Sequence, residues 1–278
     1  MSGLRAWIRA IVDAAVRRFP AAAARLACHI LQVEHDAQRL PDATVARLET
    51  LARVAAARGA DGDPAADRQE SYAQEGEDLI VARLVGDKTD GFYVDVGAHH
   101  PVRHSNTYRL YRRGWRGINI DATPGSMERF RRLRPRDINL ECLVAAGAEP
   151  RPFHVLSEPA LNTASRTLAA QRRAENRQYR VTETVTLQPR TLASILGEHV
   201  PAGQPIDLMS VDVEGLDLEV LRSNDWKTCR PAILLVELLA TTLDELEHNE
   251  VVRFLRAQSY RPVAKLYNTV IFTPGDRP

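Results

Sequence analysis

Residues 92–121, FYVDVGAHHPVRHSNTYRLYRRGWRGINID, restrict the possible folds more than any other stretch of this chain. The run Phe92-Tyr93-Val94-Asp95-Val96 is aromatic and β-branched, as strands favour. It ends at Gly97-Ala98, where a backbone can turn tightly and admit a ligand at close range. Roughly 20 to 25 residues later a second apolar run, Gly117-Ile118-Asn119-Ile120, closes on Asp121, a carboxylate at the end of a strand that can accept both hydroxyls of a ribose. Strand, turn, helix and strand in this order are the βαβ unit of a Rossmann-like sheet.

The three-glycine G-x-G-x-x-G fingerprint is missing, because Gly97 is followed by Ala98, His99, His100 and Pro101. A dinucleotide needs those glycines so that its pyrophosphate can sit against a helix N-terminus, which counts against NAD and FAD. S-adenosylmethionine carries no phosphate. It asks for one close backbone approach to its methionine part, an acid near its ammonium and an acid at the ribose, and Gly97, Asp95 and Asp121 could supply these. Either aspartate alone could equally cap a turn; their joint placement favours the ligand.

At 278 residues the chain has room for one α/β domain and an extension. Its 37 basic and 36 acidic residues nearly cancel, so no global charge draws it to nucleic acid, and no nucleic-acid partner is expected. Cys28, Cys142 and Cys229 lie far apart without CxxC spacing, which fits a reducing cytoplasm and neither a disulfide framework nor a zinc knuckle. No run approaches the roughly 18 apolar residues of a spanning helix. Residues 1–60 are rich in Ala and Arg, and Leu4, Trp7, Ile8, Ile11, Val12, Ala15, Val16 and Phe19 recur at the spacing of an amphipathic helix. A second helix is expected from Pro41 to Arg58, and Gly59 to Pro64 reads as a linker. Two units follow: residues 1–66, a helical extension with its linker, and residues 67–278. The extension is expected to pack on its own domain or mediate self-association, making a homo-oligomer, or to lie peripherally on the inner face of a membrane.

Beyond Asp121 the pattern continues as an α/β sheet. Residues 126–133 read as a helix, 139–145 as a third strand, and 152–156 with 181–187 as antiparallel strands flanking an Arg-rich excursion, 161–179. Ile206 to Val211 reads as the fourth core strand and Ala232 to Val236, almost wholly apolar, as the fifth. Strand candidates 260–265 and 268–272 are separated only by Leu266 and Tyr267, without the usual turn residues. Parallel sheets bind ligands at the C-terminal edge of their strands, and acids stand there four times, as Asp95, Asp121, Asp212 and Glu237. Asp212 and Glu214 share a side if their strand continues; otherwise they cap the following helix. SYAQEGED, residues 71–78, is an odd composition for a plain linker. Helix capping accounts for part of it and leaves Tyr72 and Gln74 over.

At this point the chain resembles the FkbM-type S-adenosylmethionine-dependent methyltransferases. The resemblance lies in SYAQEGEDLIVARL at 71–84, FYVDVGAHHPVRHSNTYRLYRRGWRGINID at 92–121, DLMSVDVEGLDLEVLRSNDW at 207–226 and LYNTVIF at 266–272. It implies an α/β, Rossmann-like class I methyltransferase fold: a mostly parallel sheet of about seven strands with an antiparallel last strand, preceded here by the helical extension. It also implies O-methylation of a hydroxyl, frequently on a sugar or glycan. By position, Asp95 and Gly97 would hold the methionine part and Asp121 the ribose, with Tyr72, Gln74 and Asn106 lining the cofactor mouth. Asp212 and Glu214 would stand by the transferred methyl, Asp212 also touching the cofactor.

An aliphatic alcohol attacking the sulfonium methyl must lose its proton, either to a base as the bond forms or after a metal has acidified it. Base candidates are Glu214, His99, His100 and His248, with His100 the best-placed histidine. Metal candidates are Asp212 and Glu237, hard oxygen ligands suited to Mg²⁺ or Mn²⁺. The Arg-rich run from Arg103 to Arg136 reads most simply as a solvated face. Two alternatives stand beside the glycan O-methyltransferase: a non-catalytic module binding a nucleotide and a polyanion, and a methyltransferase for another small molecule.

Overall fold

The structure, a computed structural model, describes residues 68–239 and 241–275. The two N-terminal helices, the linker and the boundary at residue 66 lie outside the described residues.

The chain runs through helix α1 (Glu77–Val85), strand β1 (Phe92–Val96), α2 (Tyr108–Arg112), β2 (Arg116–Asp121), α3 (Met127–Leu133) and β3 (Ile138–Glu141). Strands β4 (Leu143–Val144) and β5 (Arg151–Leu156), helix α4 (Arg166–Glu175) and strands β6 (Val181–Leu187) and β7 (Pro189–Arg190) follow. Then come α5 (Leu192–His199), β8 (Leu208–Val211), α6 (Asp217–Arg222), β9 (Ile233–Glu237), α7 (Glu250–Ala257), β10 (Tyr260–Lys265) and β11 (Thr269–Pro274).

Seven strands form one sheet in the order β10-β11-β9-β8-β1-β2-β3. Every pairing from β3 to β9 is parallel, and β11 runs antiparallel to both of its neighbours. This is the expected mixed sheet with an antiparallel last strand. Because successive side chains alternate between faces, each strand feeds two layers. Val94, Val96, Ile118, Ile120, Met209, Val211, Leu234 and Val236 pack with α5, α6 and α7, whereas Tyr93, Leu208, Ile233, Leu235 and Ile271 pack with α1, α2 and Trp115. Both faces are covered, which is why the core strands read as unbroken apolar runs. Among the described residues no helix is long and apolar enough to cross a membrane.

One local expectation changes. The run at 139–145 is not one strand: pairing with β2 ends at the bond from Cys142 N–H to the Asp121 carbonyl at 3.0 Å, and Leu143–Val144 then pairs in parallel with β7, outside the main sheet. The Arg-rich excursion between the antiparallel pair β5 and β6 is folded, with α4 capped by the Ser165 hydroxyl.

The acids of SYAQEGED also find their use. Asp78, 1 % exposed, accepts from Ser71 Oγ at 2.6 Å and Tyr72 N at 2.9 Å, folding the segment back on itself. Glu77 accepts from Thr269 Oγ1 at 3.0 Å, and Glu75 from Asn268 N at 2.9 Å. With Lys265 Nζ bonded to the Leu266 carbonyl at 2.6 Å, these contacts hold the β10–β11 turn, whose connection Leu266-Tyr267-Asn268 contains no glycine.

Candidate active site

Past Val96 the chain turns at Gly97, with φ of 82°, and a Cβ there would stand 1.6 Å from the Asp212 carbonyl oxygen. Only glycine meets both demands. The turn brings His99 N–H to Asp121 Oδ2 at 2.9 Å, while Thr123 N–H reaches Oδ1 at 2.7 Å. Two backbone donors thus fix Asp121, and each carboxylate oxygen keeps acceptor capacity for a ligand. Gly97, His99, Asp121, Asn162, Asp212 and Glu214 help line a cavity of about 540 Å³, part of it open to solvent.

Asp95 lies one residue before the end of β1 and is 4 % exposed. Its Oδ2 accepts from Thr107 Oγ1 at 2.6 Å. Burial raises its carboxyl above the usual range, opposed by that hydrogen bond and by the Arg134 charge.

Three acids converge where β8 and β9 end. Asp212, Glu214 and Glu237 each offer a carboxylate oxygen, and these atoms lie within 4.8 Å of one another. The convergence comes from a turn and not from strand alternation, because β8 stops at Val211 and Glu214 takes a left-handed φ of 54°. Nor do Asp212 and Glu214 cap the next helix. Asp217 does the local work, accepting from Val213 N at 3.0 Å and Gly215 N at 3.2 Å, and so leaves both acids to the site.

Burial comes first in holding Asp212 well above the ordinary carboxylate range, followed by the negative charges of Glu237, Glu214 and Asp217. Glu237 is pushed up to about 8, again chiefly by burial. Its Oε2 is buried and receives no hydrogen bond from a described donor. Two buried carboxylates side by side do not both ionise, so the pair Asp212 and Glu237 favours retention of a proton. Glu214 differs: although burial raises it, Arg172 NH2 sits 2.8 Å from its Oε2 and opposes the shift.

Of the residues expected from sequence, Gly97, Asp121, Asp212 and Glu214 border the cavity, and Glu237 joins the acid cluster. Among the histidines it is His99 that lines the cavity, with Nε2 buried and lacking a hydrogen-bond partner. His100 stays outside that lining, its Nδ1 accepting from Val102 N at 3.1 Å and Arg103 N at 3.0 Å, and His248 is exposed. Asn106 Nδ2 donates to Ser210 Oγ at 3.0 Å. Tyr72 donates to Glu70 at 2.6 Å and packs edge-on against Tyr108, and Gln74 is exposed; none of these three borders the cavity.

Sequence reasoning missed Arg172, Asn162 and Thr163. All lie in the β5–β6 excursion, where Asn162 donates to Thr123 Oγ1 at 3.0 Å and Thr163 Oγ1 to the Glu214 carbonyl at 2.8 Å. The excursion is therefore bonded to the loops after both β2 and β8. It also missed Arg134, which it took for part of a solvated face and which is fully buried. A signal existed: Arg134, the residue that closes α3, stands seven residues after Met127 and four after Phe130, in line with the buried positions of that helix.

The donor set suits both groups that the sequence suggested. A backbone turn, an acid at a strand end and a partnerless buried ring nitrogen meet at the cavity, and three hard carboxylates, one with a partnerless oxygen, stand beside them. Residues 95–262 match the methyltransferase FkbM domain. No curated protein matches the chain. Among solved structures, the chain is similar to an O-methyltransferase from Bacillus cereus in complex with SAH (13 % identity, covering 88 % of this chain and 96 % of that one, TM-score 0.38). It is also similar to the C-terminal domain of precorrin-6Y C5,15-methyltransferase from Rhodobacter capsulatus (10 % identity, 76 % and 95 % covered, TM-score 0.38). A TehB-like SAM-dependent methyltransferase from Corynebacterium glutamicum matches at 9 % identity, with 82 % and 98 % covered and a TM-score of 0.38. With the domain match spanning more than half of its length, the chain belongs to the methyltransferase FkbM domain family and is an S-adenosylmethionine-dependent methyltransferase.

Proposed function

We propose that this chain methylates a hydroxyl oxygen, and that the hydroxyl belongs to a sugar or glycan. The observation that carries the reading is the convergence of Asp212, Glu214 and Glu237 beside the cavity that Gly97 and Asp121 line. S-adenosylmethionine supplies a methyl that is already electrophilic. What remains for the protein is to orient the acceptor and accommodate its proton. Asp121 holds the ribose, and Gly97 with the buried Asp95 beside it the methionine part. Asp212 and Glu237 take the acceptor's proton in their deprotonated state. Glu214, ion-paired with Arg172 at 2.8 Å, accepts a hydrogen bond from a neighbouring hydroxyl of a polyol. A neutral amine presents a free lone pair and needs no buried acid pair, so the cluster favours oxygen. Mg²⁺ or Mn²⁺ would be held by the same three carboxylates and would acidify the hydroxyl in place of a carboxylate base.

The test incubates the full chain with labelled S-adenosylmethionine and separate panels of sugars, nucleotide sugars, glycans, amines and phenols, and locates the methyl by mass spectrometry. Transfer to a sugar hydroxyl is expected. Transfer to nitrogen, or to phenols alone, would overturn the reading. Turnover unchanged by EDTA would remove the metal from it and leave the carboxylate base.

A further inference from the structure

Behind β1 and β2 lies a polar network that the catalytic reading does not use. The guanidinium of Arg134 is fully buried, with Tyr93, Tyr108, Tyr111 and Phe130 around it at 5.4 to 5.7 Å from their ring centres. Its NH1 donates to Asn119 Oδ1 at 2.9 Å and its NH2 to Thr107 Oγ1 at 2.8 Å. Asp137 provides a counter-charge, 3.5 Å from Nε. That carboxylate is already heavily shared, accepting from Tyr93 Oη at 2.5 Å, Asn119 Nδ2 at 3.0 Å and Gly117 N at 3.0 Å.

The Thr107 hydroxyl links this cation to the site. Arginine has only donors, so Thr107 Oγ1 must accept from it, and its single proton goes to the Asp95 carboxylate, Oδ2 at 2.6 Å, rather than to Ser105 Oγ at 3.5 Å. The polarity of the chain Arg134 to Thr107 to Asp95 is therefore fixed. A cation at one end of such a chain polarises the hydroxyl and strengthens its donation to the carboxylate. Burying an arginine among four rings is costly unless its charge is used.

We propose that Arg134 is a positioning residue for the cofactor, holding Asp95 ionised and oriented through the Thr107 hydroxyl so that the cofactor's ammonium meets a preformed carboxylate. The inference rests on the assignment of Asp95 to the methionine part. The charged and titratable groups facing Asp95 are Arg134 beyond the end of α3, Asp137 in the α3–β3 connection, Asp121 on β2 and Tyr93 on its own strand. Both acids oppose its ionisation and burial opposes it most, which leaves Arg134 and the Thr107 hydrogen bond to sustain it.

Calorimetric binding of S-adenosylhomocysteine to the full chain between pH 5 and 8 tests this without turnover. Because removing Arg134 would strand the buried Asp137 and Asn119 that it contacts, Thr107 carries the experiment. Thr107→Val removes the link and keeps the cation; it should weaken binding about tenfold at pH 7 and more steeply as pH falls, because an unsupported Asp95 takes up its proton at higher pH. Thr107→Ser restores the hydroxyl and should restore both affinity and pH profile, which a packing defect would not do. Asp95→Asn should bind weakly across the whole range. Wild-type affinity and pH profile in Thr107→Val, beside an impaired Asp95→Asn, would overturn the proposal and spare the Asp95 assignment. Wild-type binding by Asp95→Asn would overturn both.

Discussion

The acids on the two sides of the Gly97 turn live in opposite circumstances. Asp95 and Asp121 are met by donors, the first by Thr107 and the second by two backbone amides. Asp212 and Glu237 are met chiefly by each other, and Glu237 Oε2 has no described donor. Similar residues at the same sheet edge therefore do different work. Carboxylates that come with their hydrogen bonds are fixed acceptors, suited to holding a ligand. Carboxylates crowded together hold a proton under tension and are suited to exchanging it.

Breaking the crowded side should have the largest effect. Glu237→Gln is expected to lower the single-turnover transfer rate about 10²- to 10³-fold, the scale of removing a group that acts at the transition state, while S-adenosylhomocysteine affinity stays near wild type. The wild-type rate should rise with pH through about 8, as Glu237 loses its proton and becomes a base. A flat profile would place the proton acceptor elsewhere.

The same substitution should move stability the other way. A carboxyl raised from its ordinary 4.5 to about 8 in the folded state contributes stability in full below about 4.5 and loses it as pH rises through about 8. Glutamine cannot ionise. In urea unfolding, Glu237→Gln should therefore gain on wild type between pH 5 and pH 9, by about 1 to 4 kcal/mol. No gain at pH 9 would mean that the cluster is neutralised by something else.

On the donor-rich side, Asp121→Ala should weaken S-adenosylhomocysteine binding by about 1 to 3 kcal/mol, read by calorimetry. Part of that loss is local, since His99 N–H and Thr123 N–H lose their shared acceptor; Asp121→Asn, which keeps one oxygen, should lose less. The smallest change is expected where the two sides meet the excursion. Arg172→Gln should cost about 1 to 2 kcal/mol of stability, and the double change with Glu214→Gln should return most of it, as a double-mutant cycle would show. Additive losses would mean that the 2.8 Å contact contributes little.

The sheet was legible in sequence because its strands are buried on both faces and short, so apolar runs bounded by glycine or charge mark them directly. The parallel ladder then delivers Asp121, Asp212 and Glu237 to one edge by topology alone. Where the reading stopped, it stopped for lack of long-range information. The break at Cys142 is a change of pairing partner within one apolar run, which periodicity does not register. Arg172 meets Glu214 across 42 residues and looks in sequence like its exposed neighbour Arg173. His99 and His100 are adjacent, and only the backbone path, with its positive φ at His99, decides which ring reaches the cavity.

Strand β11 follows every other strand of its sheet in the chain and yet lies inside the sheet, between β9 and β10. Until residues 269–274 have left the ribosome, β9 has one unpaired edge bearing Leu234 and Val236, and β10 has nothing to pair with. Glu75 and Glu77 likewise wait almost 200 residues for Asn268 and Thr269. From the emergence of β9 until that of β11 the nascent chain therefore carries an open, apolar sheet edge, the kind of surface that recruits chaperones or other chains. A stop codon a few residues short of Thr269 would spare the cofactor-binding strands and the acid cluster and still yield a protein fit for degradation rather than catalysis.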